Sequence, residues 1–450
     1  MTPDSWLQFL LLPRHRILLL VLVCVLILGF PIFLEGSGYT NWTSLRMPTT
    51  TISQSADLTP SSPLTDLLFT TDPADDDHSW MAENDRTIAS IFRCVEQGNC
   101  SQNQTKVVIL SAKPFLAVLR GDSGGEVIWA NSTVMAMRLL GYSFLYSRGR
   151  DRTSQLYYMF GPLVSAILVD VSDAEACFHD QDCVLMEHQP HGIPAWKMFS
   201  FHFWGSPENP LGEKWTLSPE RYRPSGRNTY LGYSIEPQCA RQAFIPHELR
   251  PQQAYVLAKE AKFFNGSNYP YAPDFFDAAS GEAGVHFLAG VRDRVLPDFF
   301  PSSITNVGFM PQTEFYAKLA QSRVLVGVGN PWLSPTPYDA LCLGVPFINP
   351  IMSWDTSNPS NRTRWNSQHN TLKELDPPYV YNVFRNDKDG FVKAVVEATS
   401  HPIESYVLED MRMSAVEERV AAILETDWKA EAAKLLAERK ASKSGETFWL

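Results

Sequence analysis

Short apolar runs alternate with segments of helical period along most of the chain. Residues 106–110 (KVVIL) and 166–171 (AILVDV) read as buried strands; between them, EVIWANSTVMAMRLLGY reads as an amphipathic helix followed by the strand SFLYS. Such alternation predicts α/β architecture with parallel sheets. The stretch FHFWGSPENPLGEKWTLSPERYRP is polar, rich in tryptophan and without period, and reads as an interdomain connection. Alternation then resumes with AYVLAK, VHFLAGV, ITNVGF, the helix QTEFYAKLAQS and the strand VLVGVG. DKDGFVKAVVEATS and SAVEERVAAILETDWKAEAAKLLAERKA read as closing helices. The pattern divides into an N-terminal half at 81–225, a C-terminal half at 226–400 and a helical tail at 401–450, with no internal repeat.

The N-terminal region follows other rules. Residues 17–34 carry no charge, with Arg14 and Arg16 before them and Glu35 after. That length is near the minimum for spanning a hydrocarbon core of ~30 Å. The flanking basic residues keep a short tail, 1–16, in the cytoplasm and send the remainder across. A cleaved signal peptide is the alternative, but the run ends in Phe30-Pro31-Ile32-Phe33-Leu34, a poor cleavage site. Residues 35–80, rich in Ser, Thr, Pro and Asp, cannot bury enough apolar surface to fold alone and read as a flexible stem. Anchor, stem and globular part together predict a Golgi type II layout, with the bulk of the chain luminal.

Composition narrows the partners. A net charge of -11 argues against nucleic acid, whose phosphates need a basic face. Cys94 and Cys100 form one close pair and Cys177 and Cys183 another, suited to local disulfides in an oxidising lumen; connectivity is not read from sequence, and Cys239 and Cys342 are left free or paired. Sequons begin at Asn41, Asn99, Asn103, Asn131, Asn265 and Asn361, which agrees with a secretory route.

Two stretches can carry chemistry. In VLVGVGNPWLSPTPYDALCLG, Gly329 follows a strand, Thr336 suits a helix N-cap, Pro337 the first helical position and Asp339 the third. Amides there favour phosphate oxygens, and Asp339 is a candidate acceptor for ribose hydroxyls. The plainer alternative is that Asp339 only completes the helix start. In LRGDSGGEVIWANS, a glycine-rich turn leads to Glu126 in the first turn of a helix, where a carboxylate facing a cleft could act as a general base. It could equally be an acid placed only for the helix dipole. Acidic runs at 75–77, at Asp387 and Asp389, and at Asp170 and Asp173 are the candidate metal ligands. The first lies in the stem and the second opens a helix, so no metal site is assigned.

These segments resemble glycosyltransferase family 18. The resemblance rests on Pro335, Thr336, Pro337, Tyr338, Asp339, Ala340, Gly344, Asn349 and Pro350, on GGEVIWANSTVMAMRLLGY, and on EKWTLSPERYRPSGRNTYLGYSIEPQ with AYVLAK after it. It implies a GT-B fold, two Rossmann-like domains facing a cleft, with UDP-GlcNAc on the C-terminal one. Gly329, Pro335, Thr336, Pro337, Asp339 and Asn349 would then line the donor side, with Lys259 the cation near the leaving group. Glu126 would be the base of a metal-independent inverting transfer to a mannose hydroxyl of a glycoprotein N-glycan, forming a β-1,6 linkage. Asp339 is shorter than the family's usual glutamate, and Ile351 stands where the family has lysine. The alternatives are a GT-B transferase with another donor or acceptor, and a catalytically silent glycan-binding relative. A retaining hydrolase needs a second carboxylate about 5 Å from the first, and none is nominated for Glu126.

Overall fold

The structure, a computed structural model, describes residues 79–222, 227–266 and 268–450. The apolar run at 17–34, the body of the stem, Asn41 and the acidic run at 75–77 lie outside the described residues. Among those described, no helix is long and apolar enough to cross a membrane. From Ser79 onward the chain is one compact unit built on two sheets.

The first half contains α1 (Ser79–Gln97), β1 (Val107–Leu110), α2 (Lys113–Arg120), α3 (Gly125–Leu139), β2 (Ser143–Tyr146), α4 (Gly149–Phe160), β3 (Val164–Val169), α5 (Val171–Phe178), β4 (Met198–Phe201), β5 (Thr216–Ser218) and β6 (Thr229–Tyr230). Its strands are all parallel, in the order β2-β1-β3-β4-β5-β6. β1 and β4 are buried along their whole length. Unbroken apolar strands are what a parallel sheet covered on both faces requires. α1 begins inside the segment expected to be stem, and its buried Asn84 exchanges hydrogen bonds with the Tyr146 backbone, closing the outer edge of β2.

Two expectations are corrected here. The stretch read as an interdomain connection supplies β4 and β5 to the first sheet. They are short, and β4 is buried on both faces, so neither shows alternation. The expected boundary at 225/226 falls among undescribed residues, and β6, beyond it, still pairs with β5.

The second half comprises α6 (Glu236–Cys239), β7 (Gln253–Leu257), α7 (Pro273–Ala283), β8 (His286–Ala289), β9 (Ile304–Asn306), α8 (Gln312–Ala320), β10 (Val324–Gly327), α9 (Thr336–Cys342), β11 (Phe347–Ser353), β12 (Asn366–Ser367), β13 (Val380–Phe384) and α10 (Lys388–Ser400). The parallel order β9-β8-β7-β10-β11-β13 is the Rossmann order, and β12 pairs antiparallel with the end of β11. Its core is aromatic: Phe276 packs edge-on against Phe264, Phe287 and Phe391.

The closing helices α11 (Met413–Glu425) and α12 (Trp428–Ser442) return to the first sheet, so the tail is not a separate layer. α11 packs on α3, and Trp428 meets Phe199 at 4.8 Å and Trp215 at 5.3 Å. The result is the α/β architecture with parallel sheets expected of the sequence, with one continuous chain crossing between the halves twice.

Candidate functional site

In open α/β sheets ligands bind beyond the carboxyl ends of the strands where strand order reverses. The first sheet reverses between β1 and β3, the second between β7 and β10. The two positions carry different chemistry.

At the first lie Lys113, Asp170, Glu126 and His202. Gly124 precedes α3 with φ 146°, a conformation closed to most side chains, and so sets exposed Glu126 in the helix's first turn. α3 is held from behind: Trp129 stacks on Phe201 with centroids 3.5 Å apart, and Ser132 Oγ bonds to the Ser234 backbone. Asp170 accepts from the Lys113 amide at 3.3 Å, and the Lys113 ammonium stands 3.9 Å away. Burial pushes the Asp170 carboxyl up, and the charges of Asp173 and Glu126 push the same way. Burial holds His202, just past β4, below the usual imidazole value, against the opposing pull of Glu208 and Glu126.

At the second, Lys259 follows β7 and is exposed. The protein around it, and then the Arg292 guanidinium, lower its pKa. The loop after β10 is organised by buried Gln368. Its Oε1 accepts from Gly329 N at 2.8 Å, its Nε2 donates to Pro331 O, and its carbonyl accepts from Leu333 N. Gly327 has no room for a side chain, because a β-carbon would stand 2.4 Å from Gln368 Oε1.

The two sites meet. A β-carbon on Gly125, next to Glu126, would stand 3.2 Å from Pro335 Cδ of the opposite loop and 3.4 Å from Phe203. Beside this contact Trp204 of the first half stacks on Trp332 of the second, 5.6 Å between centroids and 1° from parallel. Gly125–Glu126 and the 334–336 turn, from stretches singled out separately in the sequence, thus lie side by side, one from each half of the molecule.

Other candidates fall elsewhere. Pro335 is the N-cap of α9 and Thr336 its first residue, one position earlier than expected. Asp339 is not open to solvent: it is 4% exposed and accepts from Tyr316 Oη at 2.9 Å, and burial pushes its carboxyl up to about 7. Asn349 is fully buried, with its amide shared between His369 O and Asn382 Oδ1 and its oxygen taken by His369 N. It holds the 367–369 segment in place and does not line the cleft. Ile351 is buried in β11. Asp387 caps α10 by accepting from Gly390 N, and among the described residues no cluster of His, Cys, Asp and Glu could hold a metal.

Cys94–Cys100 and Cys177–Cys183 are disulfides as expected. Cys239 and Cys342 are not free: they pair with Cα atoms 6.1 Å apart and tie α6 to α9. Spacing in the sequence could not reveal a bridge between residues 103 apart. Of the sequons, Asn99 is exposed; Asn265 and Asn361 are part-exposed. Asn103 is buried with its amide on Leu140 O, and Asn131 lies within α3.

Sequence reasoning missed Gln368, Tyr316 and Glu220. Nothing in NSQHN or SPERY distinguishes these residues from ordinary surface polars.

The family model for glycosyltransferase family 18 matches residues 195–436. The α-1,6-mannosylglycoprotein 6-β-N-acetylglucosaminyltransferase A of Cricetulus griseus is 24% identical over 231 residues, 47% of this chain and 30% of that protein. The human A form is 23% identical over the same lengths, and the B form of Mus musculus is 21% identical over 225 residues, 28% of its length. The matched region thus spans under a third of these relatives. Solved structures similar over most of the chain include the glycotransferase of kitacinnamycin (13% identity, 76% of this chain, 99% of that one, TM-score 0.34). Another is spinosyn forosaminyltransferase SpnP (12% identity, 75% and 100%, TM-score 0.33). The family match covers more than half of the chain and includes the loop with Pro335 and Thr336, and the chain belongs to glycosyltransferase family 18.

Proposed function

We propose that this protein is an inverting glycosyltransferase that moves N-acetylglucosamine from UDP-GlcNAc to a mannose hydroxyl of a glycoprotein N-glycan, through a β-1,6 linkage. Family membership supports the reaction class, and the meeting of Gly125–Glu126 with Pro335 across the cleft is the observation that carries the mechanism. Glu126 takes the proton of the acceptor hydroxyl as its oxygen attacks the anomeric carbon. The bond from that carbon to the diphosphate oxygen breaks, and UDP leaves with the electron pair. One base suffices for a single displacement with inversion. The charge that develops on the leaving group is met by Lys259 and by amides near Thr336, without a metal.

Gly329 and Pro335–Pro337 line the donor side of this reading. Asp339, buried against Tyr316, reaches a ribose only if that hydrogen bond opens, and Asn349 acts on the loop from beneath. A luminal place in the Golgi, anchored by residues 17–34, is supported by the basic flank of that run and by three disulfides.

The test is UDP release from UDP-GlcNAc by protein secreted from about residue 79, with chelator present and a panel of N-glycan acceptors. Acceptor-dependent release that survives chelation is the expected result. Release with a different donor or acceptor would favour the alternative transferase. UDP binding with no transfer across the panel would favour a glycan-binding relative.

A further inference from the structure

Glu220 follows β5 in the first sheet and is 1% exposed. Hydroxyls from three distant parts of the chain converge on its carboxyl group. Oε1 accepts from Tyr233 at 3.2 Å and from Tyr338 at 3.1 Å; Oε2 accepts from Thr371 at 2.7 Å and lies 3.2 Å from the Tyr338 hydroxyl. Tyr233 sits on the crossing between the sheets, Tyr338 in α9 and Thr371 just past β12. The junction therefore spans both halves of the molecule.

α9 is gripped elsewhere by its own half. Its C-terminal end is tied by the Cys239–Cys342 bridge and by Arg250, which donates to the carbonyls of Leu343 and Gly344. Its N-terminal end leads directly into the turn that faces Gly125. We propose that Glu220 is a positioning residue for transfer: through Tyr338 it fastens the 334–336 turn to the acceptor-side half, opposite Glu126. This inference rests on the function proposed above.

All three hydroxyls donate to the Glu220 carboxyl, which is the acceptor throughout the junction. Burial pushes Glu220 up to about 7, against the lowering pull of its hydroxyl partners. The other ionisable groups facing it are Tyr233, Tyr338, Tyr222 and Tyr230, each raised, and Asp410, whose charge raises Glu220 further. Asp410 is itself paired with Arg221 and Arg419. Because the hydroxyls donate, alanine removes the fastening altogether, whereas glutamine keeps one acceptor oxygen for both tyrosines.

Glu220→Ala, Glu220→Gln and Thr371→Val separate positioning from bulk stability. Glu220→Ala should lower kcat at least tenfold and Thr371→Val about threefold, each with the Kd for UDP within threefold by calorimetry. Glu220→Gln, which keeps an acceptor oxygen for both tyrosines, should keep kcat within threefold of the unsubstituted protein. If Glu220→Ala does not fold, Thr371→Val and Glu220→Gln carry the test. A lowered Tm with unchanged kcat per folded molecule in Glu220→Ala or Thr371→Val would overturn the proposal. If no acceptor is used at all, the functional reading fails, and the fastening is read from hydrogen exchange. Amides 331–342 should then exchange at least tenfold faster in Glu220→Ala, or in Thr371→Val by a smaller factor, with β7 and β10 unchanged. Equal exchange would overturn it.

Discussion

The backbone of Gly125 lies against the ring of Pro335, so close that a β-carbon at position 125 would stand 3.2 Å from Pro335 Cδ. One glycine thus sets the spacing between the helix that carries Glu126 and the turn that opens α9. Its backbone is not left-handed, so alanine meets no conformational penalty there, but its β-carbon makes Pro335 or Phe203 give way by a few tenths of an ångström. Gly125→Ala should therefore widen this contact and lower kcat several-fold. Steady-state kinetics, expressed per folded molecule from a thermal melt on the same sample, check the prediction. An unchanged kcat would contradict it.

The loop after β10 depends on a single amide side chain, Gln368, which satisfies Gly329 N and Pro331 O at once. Gln368→Ala leaves those buried groups unpaired, at a cost of about 1–3 kcal/mol for each one that water cannot reach. UDP affinity should fall at least tenfold by calorimetry, with the first sheet's hydrogen exchange unchanged. Unaltered affinity would mean that the loop does not form the donor side.

The Cys239–Cys342 bridge closes a long loop and pins α6 to α9. Bridges over loops of about 100 residues stabilise by up to ~4.7 kcal/mol in the chain-entropy account, and 2–4 kcal/mol is typical. Cys239→Ser with Cys342→Ser should lower Tm by several degrees more than the same change at Cys177 and Cys183, which close a separation of six. A melt of each double variant decides it.

Stability should depend on pH through two buried carboxyls. Glu220 and Asp339 are both pushed up to about 7 by burial, above the ordinary carboxyl values of 4.5 and 3.8. Between those limits the folded protein holds protons that the unfolded chain has released. Their contribution is therefore fully present below about pH 4 and is lost as pH rises through 7. At ~1.4 kcal/mol per unit, shifts of this size set an upper limit on the order of 3–4 kcal/mol for each. From these two groups Tm should fall between pH 5 and pH 8, and Glu220→Gln should flatten the slope. A steeper slope in that variant would contradict the assignment.

The fold was legible where strands are long and apolar and helices keep their period: β1, β3, β7, β10 and α8 stand where the pattern puts them. β4 and β5 were not, because two short buried strands between loops carry no alternation. α2 was hidden in the same way, as an eight-residue helix directly before the glycine-rich turn. Of the site, Glu126 and the 334–336 turn were legible, since a glycine turn before an acid and a proline-bearing helix start are local signals. Gln368 and Glu220 were not, because their importance lies in partners 39 and 118 residues away. Asp339 shows the converse: a place in a helix's first turn says nothing of which way the side chain is buried.

The most direct measurement compares the protein with Glu126→Gln in a single-turnover transfer assay, with UDP binding followed by calorimetry on the same samples. Glu126→Gln should lose at least a thousandfold in rate while its Kd for UDP stays within twofold, because glutamine keeps the size of the side chain and removes only the base. Transfer at an unchanged rate would contradict the account at its centre.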